Sequence, residues 1–179
     1  MALFKVNTGC REQEVCGLRW DWEVELPELG SSVFKIPGHQ VKNGEERLVV
    51  LNRVAASVIE GQRSLHPEYV FPYSGHMVTR MHNTAWRRAR KNAAQKYHKV
   101  FGEPCPDGFL RIRVHELKHT YGHRLREAGV SHEDRQDLLG HKSGSITSHY
   151  SSAEKGNLVV ATNKICKVDS RKTPAPQMV

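Results

Sequence analysis

The chain is short of acid, has no long apolar run and lacks any paired-cysteine pattern. No apolar stretch is long enough to span a bilayer and the mean hydropathy is −0.58, which excludes a transmembrane helix. The opening Met1-Ala2-Leu3-Phe4-Lys5-Val6 is too short for a secretory leader and shows no cleavage pattern. Cys10, Cys16, Cys105 and Cys166 form neither a C-x-x-C pair nor a Cys/His zinc spacing. A reduced, cytoplasmic setting is therefore expected rather than a disulfide scaffold. Asp and Glu number 19 against 27 Lys and Arg, giving a net charge of +8 and a pI near 9.5. Such an excess favours a polyanionic partner, nucleic acid before others. There is no internal repeat, and 179 residues suffice for one domain with a real core.

The richest chemistry lies between Val114 and Tyr150: V-H-E-L-K-H-T-Y-G-H-R-L-R-E-A-G-V-S, then D-L-L-G-H, then S-H-Y. It reads as a histidine-rich helix, a Gly-Val-Ser turn, a second short helix and a corner before one tyrosine. Two chemistries compete. His115-Glu116-Leu117-Lys118-His119 matches H-E-x-x-H, in which two histidines one turn apart bind zinc and the glutamate activates a water. Gly122 extends that match, but the third ligand would fall on Leu125, which cannot bind metal. In a chain with 11 histidines the short pattern is weak. The other chemistry is phosphoryl transfer. His115 and Lys118 share a helix face at i and i+3, and an imidazole beside a cation can hold a phosphate and move protons. His141 follows the Leu138-Leu139-Gly140 corner, and the Tyr150 oxygen is a competent nucleophile once cations surround it. Taken singly, His119, Tyr121 and Tyr150 are more simply packing residues.

Upstream, Asn7-Thr8-Gly9 reads as a turn between two helices, with Arg11 in the first turn of the second. The helix dipole disfavours a cation there. Its presence suggests an anionic ligand close to free backbone N–H groups. Trp20, Trp22, Val24 and Leu26 alternate with acids as a half-buried strand, and Val33–Ile36 and Arg47–Leu51 follow as strands. Asn43-Gly44 signals the hairpin between them, with Lys42 just before it. Edge lysines commonly guard against aggregation, which is the plain account of Lys42. Asn52 caps a helix to about His66 with Val58 and Leu65 on its buried side. Pro67 ends it. A helix over about 79–100 has a narrow apolar stripe of Ala85, Ala89, Ala93 and Tyr97, with Arg80, Arg87, Arg88, Arg90 and Lys91 on its other faces. Ala153 to Val168 reads as a modest helix, and residues 169–179 as a disordered tail.

The segment from His115 to Tyr150 resembles the C-terminal half of a tyrosine recombinase (phage integrase) catalytic domain: an H-x-x-R-H-T box, then L-G-H, then the tyrosine. T-G-C-R-E-Q-E-V-C-G-L-R-W is similar to the same family's T-G-x-R-x-x-E-x-x-x-L-x-W box, and K-N-G-E-E-R to its hairpin K-x-x-x-x-R. The resemblance spans about residues 8–152. It implies an α+β, mainly α fold, the helical DNA breaking-rejoining domain with a small antiparallel β-sheet, over residues 1–168. It also implies a site-specific recombinase that joins DNA to a tyrosine through a 3′ phosphate. The roles carried over are Arg11 and Lys118 on the non-bridging oxygens and His141 as a donor to one of them. His115 handles the tyrosine proton, Lys42 acts as general acid on the leaving 5′ oxygen, and Tyr150 is the nucleophile. Arg80, Arg87, Arg88, Arg90 and Lys91 become backbone-phosphate contacts. Double-stranded DNA is the expected partner, with self-association into a tetrameric synapse on it, in a bacterial or phage nucleoid setting. Neither metal nor other cofactor is required.

The chain departs from the pattern twice. Lys118 replaces an arginine, keeping the charge but losing the two-pronged fork. Losing one such grip typically costs ~3 kcal/mol, on the order of a hundredfold in rate. Only a short stretch precedes Arg11, where family members have more helix and a DNA-clamping domain. A fragment, a short-start product or a decayed remnant is expected from that. The alternatives are a weakened or inactive truncated relative that only binds DNA and, more remotely, an H-E-x-x-H zinc hydrolase. A topoisomerase-like relaxing activity would use the same tyrosine chemistry.

Overall fold

A three-stranded antiparallel sheet divides the core in two. The computed structural model of the chain describes residues 1–81, 83–141 and 151–166. In it β1 (Glu23–Leu26), β2 (Ser31–Ile36) and β3 (Arg47–Val50) pair in the order β1-β2-β3. Val33 lies opposite Val50 and Phe34 opposite Val49. Successive side chains point to opposite faces, and each face has its own apolar cluster. Phe34, Ile36 and Val49 pack with Phe4, Leu18, Ala55 and Ile59. Val33, Leu48 and Val50 pack with Tyr121, Leu125, Leu138 and Leu158. Fully burying a Val, Leu, Ile or Phe contributes about 1.5–3 kcal/mol, so register is strongly specified on both faces.

Helices supply both layers. On one side are α1 (Ala2–Thr8), α2 (Glu12–Cys16) and α3 (Arg53–Glu60). On the other are α5 (Glu116–Glu127), α6 (His132–Leu139) and α7 (Ser152–Asn163). α1 ends at Gly9 with φ 64°, and a Cβ there would meet the Tyr121 ring at 2.5 Å, so the α1–α5 approach needs a glycine. The Tyr121 hydroxyl bonds to Thr162 Oγ1 at 2.8 Å in the interior, tying α5 to α7. The fold is thus α+β and mainly α, as the sequence led one to expect.

Several boundaries differ from the sequence reading. Trp20–Trp22 is a 3-10 turn ahead of β1, because the Trp20 indole donates to His66 O at 3.0 Å and draws the chain out of the strand. Asn43-Gly44 does not make a two-residue hairpin: residues 37–46 separate the paired Ile36 and Arg47, and they include a 3-10 turn at Gly38–Gln40. α3 stops at Glu60 before Gly61, and the turns beyond it leave Leu65 62% exposed. A small hairpin, β4 (Pro72–Tyr73) with β5 (His76–Met77), precedes α4 (Thr84–Phe101), which starts five residues later than expected because the Asn83 side chain caps it through Trp86 N. The expected tail, residues 169–179, and the end of the expected last helix lie outside the described residues.

Candidate active site

The α6 C-terminus is the corner on which the candidate site assembles. Gly140 takes φ 60° there, and a Cβ on it would lie 1.8 Å from Arg47 Nη1. Residue 140 must therefore be glycine for Arg47 to reach in. Arg47 opens β3 and is 3% exposed. It donates through Nη1 to Leu139 O, and through Nη2 to Leu138 O at 3.3 Å and Thr8 O at 3.5 Å. Its Nε lies 3.2 Å from Glu14 Oε2. Carbonyls at a helix C-terminus carry partial negative charge, which suits a cation.

Arg11 and Lys118 come to the same corner from two other segments. Arg11 is the N-cap of α2; its Nη1 is 2.8 Å from Glu14 Oε1 and its Nη2 donates to Gly140 O at 3.5 Å. Its backbone N–H, expected to be open to phosphate, is already taken by Glu14 Oε2 at 2.6 Å. The buried Lys118 donates through Nζ to Leu139 O. A fourth cation, the fully buried Lys5, donates to Cys10 O just before Arg11. Burial raises the Glu14 pKa, but Arg47 and Arg11 outweigh it and hold the carboxyl below its usual range. One carboxylate thus faces a surplus of cations.

That surplus shows in its neighbours. Burial, then Arg47 and Arg11, push Lys118 down to about 7. His141, the residue after the corner, is lowered by desolvation and then by Lys118, Arg11 and Arg47. His115 precedes α5 as its N-cap, its ring 4.8 Å from that of His119. Desolvation, then His119, Lys5 and Lys118, lower it also, which favours its neutral form. An arriving anion would offset the part of these shifts that the neighbouring cations cause.

The structure thus brings Arg11, Lys118 and His141 together, with His115 one turn along α5 from Lys118. It does not bring Lys42 to them: that side chain is exposed on the β2–β3 connection and contacts none of them among the described residues. Tyr150 lies outside the described residues. The next residue, Ser151, caps α7 by a reciprocal exchange with Glu154. Arg47, Glu14 and Lys5 were not singled out as site residues from sequence. The available signal was a charged residue opening the apolar run R-L-V-V, and a glutamate inside the first arginine box.

The metal reading fares poorly. Glu116 accepts from Arg113 N at 2.6 Å and Arg113 Nε at 3.2 Å, so its carboxylate caps its own helix instead of facing a water between the histidines. Leu125 is fully buried in the core. Among the described residues no group of three or more His, Cys, Asp or Glu is placed to hold a metal ion.

The basic helix is a different kind of surface. Arg80 precedes α4, and Arg87, Arg88 and Lys91 on it are exposed. Arg90 turns inward and donates to Ile112 O at 3.0 Å, beside the Trp86 indole, which donates to the same carbonyl at 3.1 Å. Of the expected stripe, Ala85, Ala89 and Ala93 are exposed and only Tyr97 is half-buried, sharing the docked face with Trp86, Arg90 and Ala94. That face won because the indole and guanidinium share one acceptor.

Helices on both faces of a small antiparallel sheet, with a cation-rich corner at the end of α6, define a mainly helical domain equipped to receive an anion. The chain belongs to the Phage integrase family, whose family model matches residues 1–156. It is 26% identical over 184 residues to the integrase of Salmonella phage P22, covering 96% of this chain and 43% of that protein. It is 29% identical over 168 residues to the tyrosine recombinase XerD of Lacticaseibacillus casei, covering 88% and 50%. With the tyrosine recombinase XerC of Pelobacter propionicus it shares 26% over 174 residues, covering 96% and 52%. The chain thus spans about half the length of these curated relatives. No solved structure matches it significantly. No described helix is long and apolar enough to cross a membrane.

Proposed function

We propose that the chain cleaves and rejoins double-stranded DNA by transferring a phosphodiester to Tyr150. The observation that carries this reading is the meeting of Arg11, Lys118 and His141, from three separate segments, around the Leu139–Gly140 corner. Negative charge builds on the non-bridging oxygens as the phosphoryl group transfers, and fixed cations in a partly desolvated site stabilise it without reorganising.

In this reading the Tyr150 oxygen attacks phosphorus, the bond to the 5′ oxygen breaks, and the DNA is held as a 3′-phosphotyrosine. The phenol proton passes to His115. The departing 5′ oxygen takes a proton from Lys42, which moves in from its exposed turn as DNA binds. Arg11 and Lys118 hold the non-bridging oxygens and His141 donates to one of them. A second 5′ hydroxyl then attacks the phosphotyrosine and restores the diester, so the bond energy is conserved and no nucleotide or metal is consumed. Arg80, Arg87, Arg88 and Lys91 contact flanking backbone phosphates, and copies of the chain pair across two duplexes to exchange strands.

A random-sequence library of nicked duplexes tests this. Cleavage near a nick releases a short strand and traps the covalent adduct, seen as a shifted band on a denaturing gel. Adduct in the wild type that vanishes in Tyr150→Phe supports the reading. Absence of adduct even with Lys118→Arg rejects it and leaves a protein that only binds DNA.

A further inference from the structure

Beside the candidate site, α5 and α6 enclose a cleft of about 320 Å³ with an unusual lining. α5 contributes Lys118, His119, Gly122, His123 and Arg126, and α6 with the residues after it contributes His132, Arg135, Gln136, Leu139 and His141. Seven of these ten are Lys, Arg or His, and none is a carboxylate. The α5 residues recur at helical spacing along one stripe, so the whole stripe faces the cleft. Gly122 keeps the floor open: a Cβ there would already touch Leu139 Cδ1 at 3.4 Å. Arg135 is held in place by a hydrogen bond from its Nε to Ser131 O at 3.2 Å. Among the described residues nothing pairs with Arg126, His123 or His132. A carboxylate-free concavity shared by two helices concentrates positive potential more than a flat basic face does.

We infer that this cleft is a second phosphate seat, which holds the backbone phosphate adjoining the one under attack. The inference rests on the strand-transfer reading. Lys118 and His141 belong both to the corner and to the cleft wall, so an anion in the cleft sits one side chain away from the reacting phosphate. Neighbouring phosphates on one strand stand in that relation. The seat is sequence-independent and fixes the strand's register at the α6 corner, with Arg126 and Arg135 supplying charge and His123 and His132 the flanking donors.

The test is the salt dependence of binding to a random-sequence duplex, read by fluorescence anisotropy from low to moderate KCl, for the wild type and for Arg126→Gln/Arg135→Gln. Leaving one phosphate without its cation lowers the slope of log K against log salt by about one and weakens binding to all sequences alike. The expected result is that shallower slope with several-fold weaker binding, an unchanged melting temperature, and near-normal values in Arg126→Lys/Arg135→Lys. His132→Glu, an exposed change, should weaken binding further by repulsion. Unchanged slope and affinity in Arg126→Gln/Arg135→Gln and in His132→Glu, with wild type binding normally, would overturn the seat and leave strand transfer standing. Wild type that fails to bind duplex at all would overturn both.

Discussion

Two concentrations of positive charge among the described residues, the α6 corner and α4, are built on opposite terms. At the α6 corner Arg11, Arg47 and Lys118 are held by carbonyls and by Glu14, within the packed body. On α4, Arg87, Arg88 and Lys91 stand in solvent on a helix none of whose residues is fully buried. Charges fixed by partners are preorganised and cost stability when the partners are removed. Charges held by water adapt to whatever passes over them, and screening by salt weakens them. The first arrangement suits one phosphorus atom, the second a length of backbone.

The largest effect is expected at Arg47. Arg47→Ala removes a buried partner of Glu14, leaving Arg11 to hold it, and also takes the donor from the Leu138 and Leu139 carbonyls; removing one partner of a buried pair costs about 3–5 kcal/mol. Chemical denaturation should show a loss of that order, whereas Arg87→Ala/Arg88→Ala should stay within about 0.5 kcal/mol. Gly140→Ala should resemble Arg47→Ala, since its methyl displaces the guanidinium.

Next comes Lys118. Lys118→Ala should slow adduct formation on the order of a hundredfold, a loss of ~3 kcal/mol of transition-state stabilisation, with a far smaller loss of DNA affinity. Its titration gives a signed test. Folded Lys118 releases its proton near pH 7, while an unfolded lysine holds it to about 10.4. Between those values the unfolded chain binds more protons, so Lys118 makes stability rise with pH across that window and costs most below it. Lys118→Met should flatten that rise in pH-dependent melting. The smallest effects belong to α4. Replacing Arg87, Arg88 and Lys91 together by alanine should reduce the salt slope of DNA binding by about one for each phosphate left without a cation, with single-turnover cleavage of bound DNA nearly unchanged. Arg90→Ala should do the reverse, costing about 0.5–1.5 kcal/mol of stability through removal of its bond to Ile112 and little affinity.

What could be read beforehand followed from local spacing. Arg11, Lys118 and His141 lie in short boxes, and periodicity placed the strands and most helices to within a few residues. Arg47 escaped notice because its burial depends on the α6 corner arriving from 92 residues away, which no local pattern encodes. Its position at a strand entrance gives no sign of burial, although it closes the K-N-G-E-E-R stretch. The inward face of α4 escaped for a related reason: alanines define a plausible apolar stripe, but the Ile112 carbonyl selected Trp86 and Arg90. Tyr150, the residue on which the chemistry turns, lies outside the described residues, and its role rests on sequence position.

The most direct measurement is therefore the identity of the residue joined to DNA. Trapped adduct from the nicked-duplex library, digested with nuclease and protease, should yield by mass spectrometry a nucleotide-linked peptide modified at Tyr150. The yield should fall on the order of a hundredfold in Arg11→Ala. A nucleotide found on any other side chain, or a yield indifferent to Arg11, would contradict the account.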